Sequence, residues 1–232
     1  MPGAKHVGIV AVSAEGAALC YRTLCVEGAE LLGPHAHPEV SLHTLPLAAY
    51  MEHCNRGDWG AAGEMLLASA AKLASIGAEL LICPDNTLHQ SLDLVRARSP
   101  RPWLHIAEEV ARSARERGVK KLGVLGTKLL MEGPVYERPL AAAGIERAIP
   151  NADDRAKIDD IIFSELVYGR FESVSRRFLQ RAIRRLEKAG CDAVALSCTE
   201  IPLLVGEADS PLPVIDSART LARAALREAC AH

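Results

Sequence analysis

Three segments of the chain return, in the same order, a little over a hundred residues later. His6-Val-Gly-Ile-Val10 is echoed by Lys121-Leu-Gly-Val-Leu125 and Gly77-Ala-Glu-Leu-Leu-Ile-Cys-Pro-Asp85 by Gly190-Cys-Asp-Ala-Val-Ala-Leu-Ser-Cys198. Pro102-Trp-Leu-His-Ile-Ala107 is echoed by Pro213-Val-Ile-Asp-Ser-Ala218. A repeat of this length is domain-sized, and a chain of 232 residues has room for two such units. It predicts two related halves, residues 1–115 and 116–232, facing each other about a pseudo-twofold axis. Helices are expected to exchange: the last helix packs on the first half, and the helix near 106–117 packs on the second.

Within each half, short aliphatic runs alternate with longer helix-period stretches. The runs read as strands over 7–12, 40–45, 80–83, 103–106, 122–125, 145–149, 193–196 and 214–215. Alternating strand and helix implies a parallel sheet with helices on both faces, so the expected class is α/β. One helical stripe is read from Val174, Phe178, Ala182 and Leu186, with Leu179 and Ile183 beside it. The arginines interleaved with it (Arg176, Arg177, Arg181, Arg184 and Arg185) read as a solvated face.

Composition narrows the function. Lys plus Arg total 27 against 29 Asp plus Glu, a net charge of −2, so no basic excess exists to neutralise a nucleic-acid backbone. No apolar run approaches a bilayer span, and Val7–Val12 has strand length rather than the length of a leader. The seven cysteines are odd in number and none forms C-x-x-C, which argues for thiols in a reducing cytoplasm rather than a zinc or disulfide framework. The stretch Val10-Ala-Val-Ser-Ala-Glu-Gly16 lacks the glycines of a dinucleotide turn, and no phosphate-binding loop of the G-x-x-x-x-G-K type occurs. His35-Ala-His37 lacks a third ligand at metal spacing. The reading calls for no cofactor and no metal.

The repeat places Asp85 and Cys198 at equivalent strand ends. In open parallel sheets ligands bind beyond the carboxyl ends of the strands. If the halves face each other, the two side chains approach one ligand from opposite sides, as inversion at a carbon by proton transfer requires. Each residue also has a plainer reading. Cys198 can be an inert buried thiol, and Asp85 can be a helix N-cap. Cys83, two residues before Asp85, reads as core. Asn86, Thr87, Thr127, Thr199 and Glu200 are polar groups at strand ends, suited to holding a carboxylate without a metal. His105 reads as a buried histidine with a polar contact near the sheet.

Pro84-Asp-Asn-Thr-Leu-His89, Trp103-Leu-His-Ile-Ala107, Leu122-Gly-Val-Leu-Gly-Thr127 with Met131 and Tyr136, Ile161-Ile-Phe-Ser-Glu-Leu166 and Ser197-Cys-Thr-Glu-Ile-Pro202 resemble, in this order and spacing, the aspartate/glutamate racemase family. Its members work without pyridoxal phosphate. The resemblance runs nearly the whole length. It implies two pseudo-symmetric α/β domains with the active site in the cleft, an amino-acid or dicarboxylate substrate, and a homodimer. Two cysteines are typical of the family; Cys198 matches the second, and Asp85 stands at the first. Leu130 stands where the family often has Thr before Met131. Lys157, and more loosely Arg56, occupy places where a cationic substrate-binding residue is expected. The reading that follows is a racemase or epimerase using Cys198 and Asp85 as two bases. The alternatives are a single-cysteine lyase, decarboxylase or cis–trans isomerase of a diacid, and a non-catalytic binder of small acids.

Overall fold

The computed structural model describes residues 3–231. In chain order its elements are β1 (Val7–Ala11), α1 (Ala14–Leu32), β2 (Val40–Thr44), α2 (Leu47–Asn55), α3 (Trp59–Ser75), β3 (Leu80–Ile82), α4 (His89–Val95), α5 (Ile106–Glu116), β4 (Lys121–Leu125), α6 (Lys128–Glu132), α7 (Glu137–Ala142), β5 (Glu146–Ala148), α8 (Ala152–Ser164), α9 (Ser173–Lys188), β6 (Ala193–Leu196), α10 (Ile201–Leu204), β7 (Val214–Asp216) and α11 (Ser217–Cys230). They form two units. One comprises the chain up to Ile106 and from Ala218 onward, the other Ala107–Ser217. No described helix is long and apolar enough to cross a membrane.

In the first unit, β2, β1 and β3 form a parallel sheet in the order β2-β1-β3. β1 and β3 are apolar at consecutive positions because the sheet has a core on each side, whereas the edge strand β2 (Val-Ser-Leu-His-Thr) is partly exposed. Val7, Ile9, Leu80 and Ile82 face one core, shared with Cys20 and Leu24 of α1 and with Leu221, Ala222 and Ala225 of α11. Val10, Leu81 and Cys83 face the other, against Leu66, Ala70 and Leu73 of α3. Side chains of period two thus alternate between two hydrophobic layers.

The second unit repeats the plan with the parallel order β5-β4-β6-β7. Val194 and Leu196 of β6 pack with α8 and α9, whereas Ala193 and Ala195 pack with Ala107, Val110, Ala111 and Ala114 of α5. The repeated segments occupy matching places: β1 and β4 each lie inside their sheet, paired with β3 and β6 respectively, and β3 and β6 follow Gly77 and Gly190. Those two glycines hold φ of 102° and 86°, the left-handed turn that ends a helix and releases the chain into a strand.

Two expectations are corrected. The stretch 103–106 is no strand. Only Trp103 bridges to Leu81, through Leu81 N–H to Pro102 O (2.9 Å) and Leu104 N–H to Leu81 O (3.1 Å), and Ile106 already opens α5. Pro102 has no N–H to donate, and the helix claims the next donors, so pairing stops after one bridge. On α9 the buried stripe is Ser175, Leu179, Ala182, Ile183 and Leu186, while Val174 is 65% exposed. Steps of strictly four residues drift around a helix of 3.6 residues per turn, so Val174 rotates outward and Ser175 takes its place. The five arginines are on exposed positions. Arg185 also makes a two-pronged pair with the buried Asp154, at 2.6 Å for each bond.

Candidate active site

The second unit builds a thiol–carboxylate pair at the carboxyl end of β6. Ser197 N–H donates to Leu125 O at 2.6 Å, extending the pairing of β6 with β4 by one residue, and the chain then turns toward α10. Gly126 lies against this turn. A Cβ there would stand 2.8 Å from Ser197 O and 2.6 Å from Leu130 Cδ2, so only glycine lets the two strand ends approach so closely. Ser197 Oγ donates to Tyr136 Oη (3.0 Å) inside the core, and burial pushes the Tyr136 phenol above its ordinary range.

Held by this frame, the Cys198 Sγ–H donates to Glu200 Oε2 at 3.0 Å, and Thr199 Oγ1–H donates to the same oxygen at 3.1 Å. Cys198, Thr199 and Glu200 are all buried, at 7%, 3% and 3% exposure. Glu200 Oε1 has no hydrogen-bond partner among the described residues. A buried carboxylate two residues from a thiol can take its proton, which makes the thiolate available. The sequence pattern assigns Glu200 to substrate binding, and the structure sets it against the thiol. The Cys-x-Glu spacing was visible in the sequence, but it does not say that the turn folds the two side chains together. Thr127 caps α6, its Oγ1 accepting from Leu130 N–H at 3.2 Å. Lys157 stands apart on an exposed position of α8, its ammonium bonded to Asp160 at 2.5 Å. That bond is the main cause raising its pKa.

In the first unit, the loop from Cys83 to Leu88 carries Asp85, Asn86 and Thr87 beyond the end of β3. Asp85 is half-buried, and its Oδ1 accepts from Leu88 N–H at 2.9 Å, so one oxygen caps the turn that leads into α4. Asn86 is buried and Thr87 half-buried, and their carbonyls accept from His89 N–H and Gln90 N–H (3.2 Å each). Cys83 is fully buried. Burial first, and then the Asp85 carboxylate, raises its thiol pKa well above the ordinary value, leaving it a protonated core thiol. The same two causes push Cys54 up to about 11. Arg56, on an exposed position after α2, pairs with Glu52 at 2.9 Å.

Sequence reasoning missed a histidine pair behind this loop. His89 and His105 are buried at 0% and 2% exposure, with ring centroids 4.3 Å apart and planes at 74°. His105 Nε2 lies 3.5 Å from Asp93 Oδ1. Nothing in the sequence signals a contact between residues sixteen apart, one opening α4 and the other in the segment before α5. A groove of about 410 Å³ in this unit opens elsewhere, at the amino ends of β1 and β3, lined by Lys5, Glu79, Arg101, Trp103 and Glu228 among others.

Comparison with known proteins places this geometry in context. The profile of the Asp/Glu/hydantoin racemase family matches residues 9–225. A crystal structure of a candidate Asp/Glu racemase from Yersinia pestis is 32% identical and covers 97% of this chain and 99% of its own, with a TM-score of 0.88. An aspartate racemase homologue from Pyrococcus horikoshii OT3 is 28% identical over 97% of this chain and 98% of its own, with a TM-score of 0.83. The broad specificity amino-acid racemase RacX of Bacillus subtilis (strain 168) is 21% identical over 187 residues, 81% of this chain and 80% of that protein.

Proposed function

The chain belongs to the Asp/Glu/hydantoin racemase family and is an isomerase, and we propose that it racemises aspartate, glutamate or a related amino acid by proton transfer at the α-carbon, without a cofactor. The observation that carries the reading is the buried Cys198–Glu200 pair at the end of β6. In one direction Glu200 holds the thiol proton, the Cys198 thiolate removes the α-proton, and protonated Asp85 returns a proton to the other face. In the other direction the Asp85 carboxylate removes the proton and the Cys198 thiol supplies one. Glu200 keeps its proton throughout, so each turnover carries one proton's worth of charge between Asp85 and Cys198, the two directions are the reverse of each other, and only the configuration of the substrate changes. Asn86, Thr87, Thr127 and Thr199 are assigned to the substrate α-carboxylate. Lys157 is left out of this set, because its ammonium is committed to Asp160 on an exposed helix face. The reading carries with it a cytoplasmic homodimer, which sedimentation and cell fractionation test.

One observation favours a second reading. Asp85 Oδ1 is engaged as a cap, and a firmly capping carboxylate is a poor base. In a one-sided reaction, Cys198 alone protonates a carbanion, as in a lyase or decarboxylase acting on a diacid. The deciding experiment is α-proton exchange in deuterated buffer, followed by proton NMR. The panel is the L and D forms of aspartate, glutamate and neutral amino acids, with Cys198→Ala and Asp85→Asn as variants. Exchange with inversion, lost in Cys198→Ala and stripped of inversion in Asp85→Asn, supports the two-base reading. Inversion that survives Asp85→Asn removes Asp85 from the mechanism. Absence of exchange with every amino acid refutes the racemase reading, and turnover of malonate-type or unsaturated diacids then supports the second.

A further inference from the structure

Resting on the two-base reading, we infer that His89 is a positioning residue for Asp85: the neutral imidazole clamps the two ends of the loop that carries the carboxylate. The loop leaves β3 at Cys83 and enters α4 at His89. His89 Nε2 bonds the Cys83 carbonyl at 3.1 Å, so the first residue after the loop is tied to the residue before it. A carbonyl only accepts, so Nε2 carries the proton and Nδ1 is the lone-pair nitrogen. Inside the clamp, Leu88 N–H binds Asp85 Oδ1 (2.9 Å) and His89 N–H binds Asn86 O (3.2 Å). The carboxylate is therefore anchored to a backbone whose far end is set by the His89 ring.

The surroundings hold the ring in place and keep it neutral. His89 is fully buried, its ring meets the edge or face of His105 at 4.3 Å, and its backbone opens α4, whose Leu92 and Val95 are buried. The groups that bear on its charge are His105 from the segment before α5, Arg96 just after α4, and the Cys83 carbonyl from the end of β3, with Asp93 of α4 reaching His105. Burial, His105 and Arg96 all disfavour the imidazolium, and only the Cys83 carbonyl favours it, so the pKa of His89 is well below its ordinary value. The sequence contains a reactive-looking histidine four residues from Asp85, but the structure gives it no path to act as the acid or base itself. Among the described residues, the ring's hydrogen bond goes to the backbone carbonyl of Cys83.

The test compares His89→Phe, which fills the space without a donor, with His89→Gln, whose amide N–H can reach the place of Nε2. In a two-base racemase each enantiomer is deprotonated by a different group. Misplacing Asp85 alone therefore abolishes inversion while Cys198 still exchanges the α-proton of the one enantiomer it serves. The expected result for His89→Phe is a loss of inversion of ~10²-fold, the scale for a catalytic group displaced by about 1 Å. Exchange of one enantiomer should be retained, the same asymmetry as in Asp85→Asn, and His89→Gln should restore most of the inversion. Hydrogen exchange at the Leu88 amide should speed up in His89→Phe and recover in His89→Gln. If His89→Phe slows exchange of both enantiomers alike, or leaves inversion intact while Asp85→Asn removes it, the positioning role is wrong and the two-base reading stands. If the unaltered protein exchanges no amino acid, the two-base reading falls, and this inference falls with it.

Discussion

Lowering the pH should destabilise this protein through His89 before most carboxylates titrate. The imidazole is fully buried beside His105, and burial, reinforced by His105 and Arg96, holds its pKa well below 6.5 in the folded chain. In the unfolded chain it titrates near its ordinary value of about 6.5. Between those two values the unfolded state binds a proton that the native state does not. Stability therefore rises with pH, is fully present above about 6.5, and drains away as the pH falls towards the folded-state pKa. The single-site linkage expression predicts a loss of about 1.4 kcal/mol between about pH 7.5 and about pH 5.5, as long as the folded-state value lies below that range. The assay is urea unfolding at both pH values for the unaltered protein and for His89→Phe. The variant is less stable at each pH, but the quantity of interest is the change between them. That change should be smaller in the variant by about 1.4 kcal/mol. Equal changes in the two proteins would mean that His89 takes up its proton over the same pH range in the folded chain as in the unfolded one, and would refute the account of an imidazole kept neutral by its surroundings.

Other perturbations follow from the same geometry. Glu200→Gln keeps the shape of the side chain but removes the acceptor of the thiol proton; α-proton exchange should fall by ~10²-fold with little change in the melting point, measured by NMR in deuterated buffer and by calorimetry. Gly126→Ala forces a methyl group to within 2.8 Å of Ser197 O, so urea titration should show a loss of about 1–3 kcal/mol, and activity should fall as the Cys198 turn is displaced. Asp154→Ala leaves Arg185 without its two-pronged partner; because the Arg185 side chain is 43% exposed, the loss should be only about 1–2 kcal/mol, read as coupling in a double-mutant cycle with Arg185→Met. Lys157→Ala should change stability by less than about 0.5 kcal/mol and leave KM unmoved, because the ion pair it breaks is exposed; a several-fold rise in KM would return Lys157 to the binding site.

Much of the fold was legible because it depends on local chemistry. The strands β1, β4 and β6 are apolar at nearly every position, as strands with a core on both faces must be. The ordered repeat showed that the pattern occurs twice, and Gly77 and Gly190 marked the same left-handed turn before β3 and β6. Pattern failed where competition between elements decided the outcome. Trp103 sits in an aliphatic run, yet pairing ends after one bridge because Pro102 lacks a donor and α5 begins at Ile106. Val174 fits a spacing of four, yet the 3.6-residue turn carries it into solvent.

The candidate residues divide in the same way. From sequence alone, Asp85 and Cys198 stand at equivalent strand ends, because repeat position and strand termination are properties of the linear pattern. Tertiary structure decided what each one touches. It set Glu200 Oε2 against the Cys198 thiol, tied Asp85 Oδ1 to Leu88 N–H, and committed Lys157 to Asp160. It also brought His89, at the start of α4, against His105, just before α5 and sixteen residues on, and set the His89 Nε2 against the Cys83 carbonyl. Hydrophobic periodicity acts over a few residues and can be read along the chain. Hydrogen bonds and buried charges depend on angstrom-scale distances between side chains, which are defined only once the backbone has folded around them.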